Sequence, residues 1–159
     1  MTRKEQYEQL IPQIAGLIKD ETNLVGILAN VSAVLHEAFP ERFFWTGFYL
    51  YEGKETLSLG PFQGSVACYS IPYGKGVCGK AWEEGRTLIV PDVEKFPGHI
   101  ACSSLSRSEI VIPMYDDSHT FRGVLDIDST RLNDFNEDDK EGLERIIKLL
   151  MEETQHLFQ

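Results

Sequence analysis

The sequence predicts an α+β fold in which helices from both ends of the chain cover one face of an antiparallel sheet. Two helical patterns come first, a run of short strand patterns with one short helix follows, and a third long helical pattern closes the chain. Strands joined by short turns pair antiparallel, because parallel pairing needs a long crossover. Helices segregated from strands are typical of α+β proteins. All 159 residues are expected to form a single domain.

The terminal helices carry capping residues and apolar stripes. In the first, over residues 2–20, Thr2 and Glu5 have capping-box spacing, and Pro12 predicts a kink or a later start. Asn23 can cap the second, over residues 23–38, which Phe39-Pro40 ends. The last begins near residues 136–137 and runs to about residue 156, with apolar residues at helical spacing.

Short strands fill the middle of the chain. Residues 42–51 are rich in aromatic and β-preferring side chains, and residues 56–59 return after a turn at 52–54. Residues 60–64 read as a loop, and residues 66–71 as a short strand that carries Cys68. The remaining elements are a helix at 77–84, strands at 87–90, 109–115 and 121–128, and a long loop at 91–108.

Charge and composition exclude several classes of partner. The net charge of −10 argues against nucleic acid and against an anionic membrane. No apolar run reaches the ~18 residues of a membrane helix, and the N-terminus lacks the apolar core of a signal peptide. We therefore expect a cytoplasmic protein, in which three cysteines are not a disulfide framework.

The three cysteines leave two candidates for a reactive thiol. Cys78 stands at a predicted helix start, where the helix dipole lowers a thiol pKa. Cys102 lies in the long loop, where His99 or Arg107 could stabilise its thiolate. The residues alone do not decide between them, and Cys68 reads as a resolving or structural thiol. These three cysteines and His99 lack the close pairing of a zinc knuckle, so no metal site is expected.

Three acidic residues are expected to converge on one site. Alternation along the strand at 121–128 puts Asp126 and Asp128 on one face, with Leu125 and Ile127 on the other. Glu109 begins the neighbouring strand and could point to the same place. Such a group suits an ammonium ligand or a general acid with a raised pKa. The alternative is a face exposed to solvent.

Aromatic residues of the first strand could form a wall of that site. Trp45 and Tyr49 fall on one face, together with Phe43, whereas Phe44, Phe48 and Leu50 fall on the other. An aromatic wall could hold a methyl-sulfur group. The alternative for either set is packing against a helix.

Several segments together resemble a known family. They are Ala101-Cys102-x-Ser104-x-Ser106-x-Ser108-Glu109-Ile110-Val111, Gly123-Val124-Leu125-Asp126-Ile127-Asp128-Ser129, Gly76-Val77-Cys78-Gly79-Lys80-Ala81-Trp82 and Phe96-Pro97-Gly98-His99-Ile100. With the spacing of the three cysteines, they resemble the free methionine-(R)-sulfoxide reductases, which are stand-alone GAF-domain enzymes. The resemblance covers nearly the whole chain.

The resemblance implies a fold and a role for each site residue. The fold is GAF-like, with a central antiparallel sheet of about six strands. Cys102 becomes the nucleophile, against the helix-dipole argument for Cys78. Cys68 and Cys78 become resolving thiols, with Cys68 as the direct partner. The substrate-binding residues implied are Trp45 and Tyr49 as the wall, and Glu109, Asp126 and Asp128 for the ammonium group or for protonating the sulfoxide.

The implied reaction needs neither a metal nor a cofactor. Attack of the Cys102 thiolate on the sulfoxide sulfur gives methionine and a sulfenic acid, which condenses to a disulfide and is reduced by thioredoxin. The family usually forms homodimers. The alternatives are a non-catalytic GAF sensor of small molecules and a thiol redox switch. The sensor alternative leaves the three cysteines unexplained, and we expect no output domain within the 159 residues. The redox-switch alternative leaves the three acidic residues unexplained.

Overall fold

The computed structural model of the chain describes residues 1–100 and 102–158, so Ala101 of the loop motif lies outside the described residues. The helices are Arg3–Ile18 (α1), Leu24–Ala38 (α2), Gly76–Glu84 (α3) and Glu137–Thr154 (α4). The strands are Trp45–Tyr51 (β1), Thr56–Gln63 (β2), Ser70–Pro72 (β3), Leu88–Val90 (β4), Ser108–Tyr115 (β5) and Phe121–Ser129 (β6). Short 3₁₀ turns occupy Val93–Lys95 and Gln155–Leu157.

The six strands form one antiparallel sheet in the order β3-β2-β1-β6-β5-β4. Strand β6 pairs with β1, which comes much earlier in the chain, and with β5, its predecessor. The centre of the sheet therefore joins two halves of the chain. The predicted α+β class and the antiparallel sheet of about six strands are confirmed.

The two faces of the sheet have different roles. Helices α1, α2 and α4 bury an apolar core against one face, and Leu125 and Ile127 of β6 point into that core. Helix α3 and the chain before and after it cover the other face. The strand alternation thus directs Leu125 and Ile127 to the core under the three long helices, and Asp126 and Asp128 to the opposite face.

A buried ion network joins the two ends of the chain. The Asp139 side chain is fully buried at the start of α4 and accepts hydrogen bonds from the Tyr7 hydroxyl (2.6 Å), Arg3 Nη1 (2.8 Å) and Arg42 Nη2 (3.0 Å). Asp139 also accepts a bond from the backbone N–H of Asn136, which closes a capping box. A buried carboxylate needs such partners, so this network fixes α1 and α4 relative to the sheet.

The sequence predicted most element boundaries within a few residues. The Thr2–Glu5 capping box is present, and α1 continues through Pro12 without the predicted late start. None of the helices among residues 1–100 and 102–158 combines the length and apolar character that crossing a bilayer requires.

Two expected strand boundaries are wrong. Strand β2 continues through Gly60-Pro61 to Gln63, because these residues take up an irregularity in its pairing with β1 instead of ending the strand. The strand expected at 66–71 is confined to Ser70–Pro72, so Cys68 lies in an irregular segment before it.

Phe43 was expected beside Trp45 and Tyr49, but it packs on the helix side of the sheet. Strand β1 begins only at Trp45, so strand alternation does not reach back to Phe43. Phe44, expected on the face opposite Trp45 and Tyr49, packs instead against the cluster that contains them.

Candidate active site

A pocket lies on the sheet face that α1, α2 and α4 leave uncovered. It encloses about 40 Å³, enough for a few water molecules. Sheet residues form its base, and α3, the segment before β3 and the loop before β5 form its rim. The residues lining it are Trp45, Tyr49, Val66, Ala67, Ile71, Gly76, Val77, Cys78, His99, Ile100, Cys102, Ser103, Ser106, Glu109, Asp126 and Asp128.

The strand register places the three carboxylates side by side. Asp128 of β6 stands opposite Glu109 of β5 on one side and opposite Trp45 of β1 on the other. Asp126 lies two residues along β6 on the same face. Directly opposed residues of an antiparallel pair have Cβ atoms about 5 Å apart, so the pairing of β5, β6 and β1 is what assembles the acidic group.

Burial and mutual repulsion favour the protonated forms of these acids. Burial, and then the neighbouring Asp126 and Asp128 charges, raise the pKa of Glu109 well above its usual value. Burial, followed by the charge on Asp126, also raises the pKa of Asp128 well above its usual value, and burial raises the pKa of Asp126. Such a group retains protons that exposed carboxyls have lost, and it can donate one.

Oxygen atoms of this group lack hydrogen-bond partners. Asp126 Oδ1, Asp128 Oδ1 and Ser106 Oγ are enclosed and make no hydrogen bond to any described residue. Of the described residues that line the pocket, none is lysine or arginine. Unpaired buried acceptors are costly, so a hydrogen-bond donor placed in the pocket would relieve this cost.

Aromatic rings form the wall beside the acids. Trp45 and Tyr49 stack with ring centroids 5.9 Å apart, and Phe62 of β2 stacks on the outer side of Trp45 at 5.0 Å. Both β1 aromatics also hold the chain that follows β2. Trp45 Nε1 donates to the Ser65 carbonyl (3.0 Å), and the Tyr49 hydroxyl donates to the Cys68 carbonyl (2.9 Å). The wall therefore also positions Cys68.

Cys68 and Cys102 are joined by a disulfide at the rim of the pocket, with their Cα atoms 5.4 Å apart. Both residues are partly exposed. The bond connects the segment before β3 to the long loop before β5. Two of the three cysteines named from the sequence are therefore bonded to each other next to the acids and the aromatic wall.

Cys78 is a free, fully buried thiol at the first turn of α3. Burial, and then the nearby Asp126, Glu109 and Asp128 charges, raise its pKa well above the usual value. The expectation that the helix N-terminus lowers this pKa is therefore wrong. The helix begins where predicted, but desolvation and three neighbouring acids outweigh its dipole.

The two basic residues proposed near Cys102 occupy different places. His99 lines the pocket, with its Nε2 3.8 Å from Glu109 Oε1, and burial lowers its pKa. Arg107 is exposed and does not line the pocket. The loop that carries His99 rests on Gly76, where a side chain would be strained by the φ of +61° and would crowd Ile100.

Among residues 1–100 and 102–158, the set of side chains that could hold a metal differs from the set considered in the sequence. Cys78, Glu109 and Asp126 offer ligand atoms within 4.8 Å of one another. Two of these groups are carboxyls whose protonation is favoured by burial. Protonation of these two carboxyls competes with binding of a metal ion, because carboxyl ligands bind metals in their deprotonated form.

Sequence reasoning missed two contributors to the site. Ser106 is buried beside Asp128, and Phe62 extends the aromatic wall. The signal for Ser106 was its position two residues before the start of β5, in a loop of hydroxyl residues. Phe62 was missed because β2 was expected to end before it.

Comparison with known proteins identifies the class. The model of the GAF domain family matches residues 21–151. The chain is 57% identical over 149 residues to GAF domain-containing protein A of Dictyostelium discoideum, covering 94% of this chain and 92% of that protein. The fold and the site thus define a GAF domain.

Two further similar proteins show to which family of GAF-domain proteins the chain belongs. The free methionine-R-sulfoxide reductase of Saccharomyces cerevisiae is 43% identical over 155 residues, covering 94% of this chain and 86% of that protein. The X-ray structure of free methionine-R-sulfoxide reductase from Neisseria meningitidis, in complex with its substrate, superposes with a TM-score of 0.93 at 47% identity and covers 98% and 92% of the two chains. The chain belongs to the free methionine-R-sulfoxide reductase family.

Proposed function

We propose that this protein reduces free methionine-(R)-sulfoxide to methionine. The observation that carries the proposal is the Cys68–Cys102 disulfide at the rim of a pocket whose base holds Glu109, Asp126 and Asp128. A redox-active thiol pair supplies two electrons, and the acids supply the proton that the departing oxygen needs. The family to which the chain belongs supports the same substrate.

Substrate recognition follows from the lining of the pocket. The unpaired oxygens of Asp126 and Asp128 accept hydrogen bonds from the substrate α-ammonium group. Trp45 and Tyr49 contact the methyl-sulfur end, since sulfur packs well against aromatic rings. A methionine inside a peptide has no α-ammonium group, so these acids favour the free amino acid.

The chemical step uses Cys102 as the nucleophile. Its thiolate attacks the sulfoxide sulfur while a carboxyl of the acidic group, for which we propose Glu109, protonates the oxygen. The S–O bond of the substrate breaks as the hydroxyl passes to Cys102 Sγ, and the bond between Cys102 Sγ and the substrate sulfur breaks, so that methionine leaves and Cys102 becomes a sulfenic acid. The raised pKa of Glu109 supports this role because it keeps the carboxyl protonated.

The Cys68 thiol then condenses with the sulfenic acid. The Cys68–Cys102 bond forms and water leaves, which gives the disulfide described above. Buried Cys78 is the second resolving thiol of the proposal, reached by exchange after the first bond has formed. The return to the thiol state needs a dithiol, for which we propose thioredoxin, whose potential of about −270 mV suits such an exchange.

The setting of the enzyme remains part of the proposal. We propose that residues 1–159 act as one GAF domain, in a homodimer, in the cytoplasm. The network around Asp139 supports the first point, because it joins the first helix to the last. The net charge of −10 agrees with a protein that binds neither nucleic acid nor a membrane.

Chiral analysis of racemic free methionine sulfoxide, incubated with the protein and dithiothreitol, tests the proposal. We expect loss of the R isomer alone and no reduction of an N-acetylated or peptide-linked sulfoxide. Cys102→Ser is expected to abolish turnover. Absence of turnover by the wild-type protein would favour the sensor or redox-switch alternative.

A further inference from the structure

We propose that Val66, Tyr69 and Leu105 form the docking surface for the dithiol protein that reduces the Cys68–Cys102 disulfide. We call these three residues the rim patch. The inference rests on the proposed function only in taking that disulfide as the state that must be reduced. It adds where the reductant binds and which side chains it contacts.

The three residues of the rim patch are unusually exposed for their size. The exposed fractions are 87% for Val66, 87% for Tyr69 and 59% for Leu105. Each lies within three positions of a bonded cysteine. In the described part of the chain, eight large apolar or aromatic side chains are exposed, and three of the eight lie within three positions of this one bond. Apolar groups gathered in this way mark an interaction surface.

Two residues of the rim patch, Val66 and Tyr69, lie in or next to a segment whose backbone is bonded to side chains of β1. The Ser65 carbonyl accepts from Trp45, and the Cys68 carbonyl accepts from Tyr49. With both ends of this short segment attached to β1, Val66 and Tyr69 remain presented at the surface. A preorganised surface binds with less loss of conformational freedom.

The backbone of the same segment is available for pairing. The N–H groups of Val66, Ala67 and Cys68 donate no hydrogen bond to any residue that the structure describes. The next residues form β3, which is an edge strand of the sheet. An extended segment of a partner could pair here through main-chain hydrogen bonds, as in other strand-addition complexes.

The chemistry requires a protein reductant to cover this surface. A thiolate of the reductant attacks Cys68 Sγ; a new S–S bond forms, and the Cys68–Cys102 bond breaks with Cys102 leaving as the thiolate. The second reductant thiol then attacks the mixed disulfide and releases Cys68. The reductant is oxidised by two electrons, and both cysteines of this chain are reduced. A protein thiol that reaches Cys68 brings its own flanking surface against Val66 and Tyr69.

The test compares a protein dithiol with a small dithiol in reducing the oxidised protein, with no sulfoxide present. Thioredoxin, with its reductase and NADPH, is mixed with the disulfide form, and the second-order rate constant is measured; dithiothreitol is used in parallel. We expect Tyr69→Ser to slow reduction by thioredoxin about tenfold and Leu105→Ser about threefold. Reduction by dithiothreitol should change less than twofold.

Two further variants serve as controls. Tyr69→Phe keeps the ring and should retain most of the thioredoxin rate. Val25→Ser removes an equally exposed apolar side chain from α2, outside the rim patch, and should behave as wild type with both reductants.

Three results would overturn the proposal. The first is an unchanged rate of reduction by thioredoxin in Tyr69→Ser and Leu105→Ser, and the second is an equal loss of rate with thioredoxin and with dithiothreitol. The third is a change in the molecular mass of these variants relative to wild type, measured by light scattering, which would assign the rim patch to contact between copies of the chain. Because no sulfoxide is used, these results are independent of the substrate. Failure of the proposed function would appear separately, as absence of methionine sulfoxide turnover with dithiothreitol.

Discussion

Reduction of the Cys68–Cys102 disulfide is expected to lower the stability of the fold by a measurable amount. The two cysteines are 34 residues apart in the sequence. Closing a loop of that length lowers the entropy of the unfolded chain, which corresponds to about 4 kcal/mol in the free energy of unfolding. The closed segment contains α3 and the loop residues His99 and Ile100, which line the pocket, so opening the bond also frees the elements around the site.

A difference of this size is easily measured. For a chain of this length, 1 kcal/mol shifts the melting temperature by roughly 2–4 °C. Oxidised protein should therefore melt about 8–15 °C above protein treated with an excess of a phosphine reductant. Differential scanning calorimetry on both states, at the same pH and protein concentration, gives the comparison.

The cysteine variants serve as controls for this measurement. Cys68→Ser and Cys102→Ser should melt at one temperature in both redox conditions, close to the reduced wild type. Cys78→Ser should keep the full redox difference, since Cys78 is outside the bond. The reasoning would be refuted by a wild type whose melting temperature does not respond to reduction, or by a redox response that persists in Cys68→Ser.

Three further substitutions test the site and the fold. Glu109→Gln should lower kcat by about 10²–10⁴-fold through loss of the proton donor. Because burial raises the pKa of Glu109 above the ordinary value of 4.5, the wild type loses stability as the pH rises above that ordinary value. The variant lacks this titrating group, so its melting temperature relative to wild type should rise with increasing pH, and a constant difference would argue against a raised pKa. Arg42→Ala leaves buried Asp139 without its main cation and should cost about 3–5 kcal/mol in denaturant titration; a loss below 1 kcal/mol would contradict the importance given to the network. Gly142→Ala places a methyl group against the Tyr7 ring and should cost about 1–3 kcal/mol without changing KM, so an altered KM would show that the effect reaches the site.

Residue patterns in the sequence predicted the structure correctly where it depends on neighbouring residues alone. The alternation Asp126-Ile127-Asp128 correctly put both acids on one face, since side chains in a strand alternate whatever surrounds them. Capping residues such as Thr2 likewise act within four residues of the chain. The convergence of Glu109 on the same place could be expected from adjacent strands, and the register of β5 and β6 confirms it.

Residue patterns in the sequence could not predict features that depend on burial and on contacts between distant parts of the chain. The pKa of Cys78 depends on three acids that are remote in sequence and on full enclosure, neither of which is visible at a helix start. Gly60-Pro61 read as a chain break because both residues are common in loops, yet here they accommodate an irregular pairing inside β2. Family resemblance, rather than residue chemistry, is what pointed to Cys102.

The central claim is that Cys102 becomes a sulfenic acid by accepting the sulfoxide oxygen, and that Cys68 condenses with this sulfenic acid to form the disulfide. It is tested most directly by one turnover without reductant. Fully reduced protein is mixed with one equivalent of free methionine-(R)-sulfoxide, the thiols are alkylated, and the peptides are analysed by mass spectrometry. The account predicts one equivalent of methionine and loss of two thiols, with a Cys68–Cys102 link and alkylated Cys78 at the earliest quench, before exchange with Cys78. Methionine formed with all three thiols intact, or formed at an unchanged rate by Cys102→Ser, would contradict it.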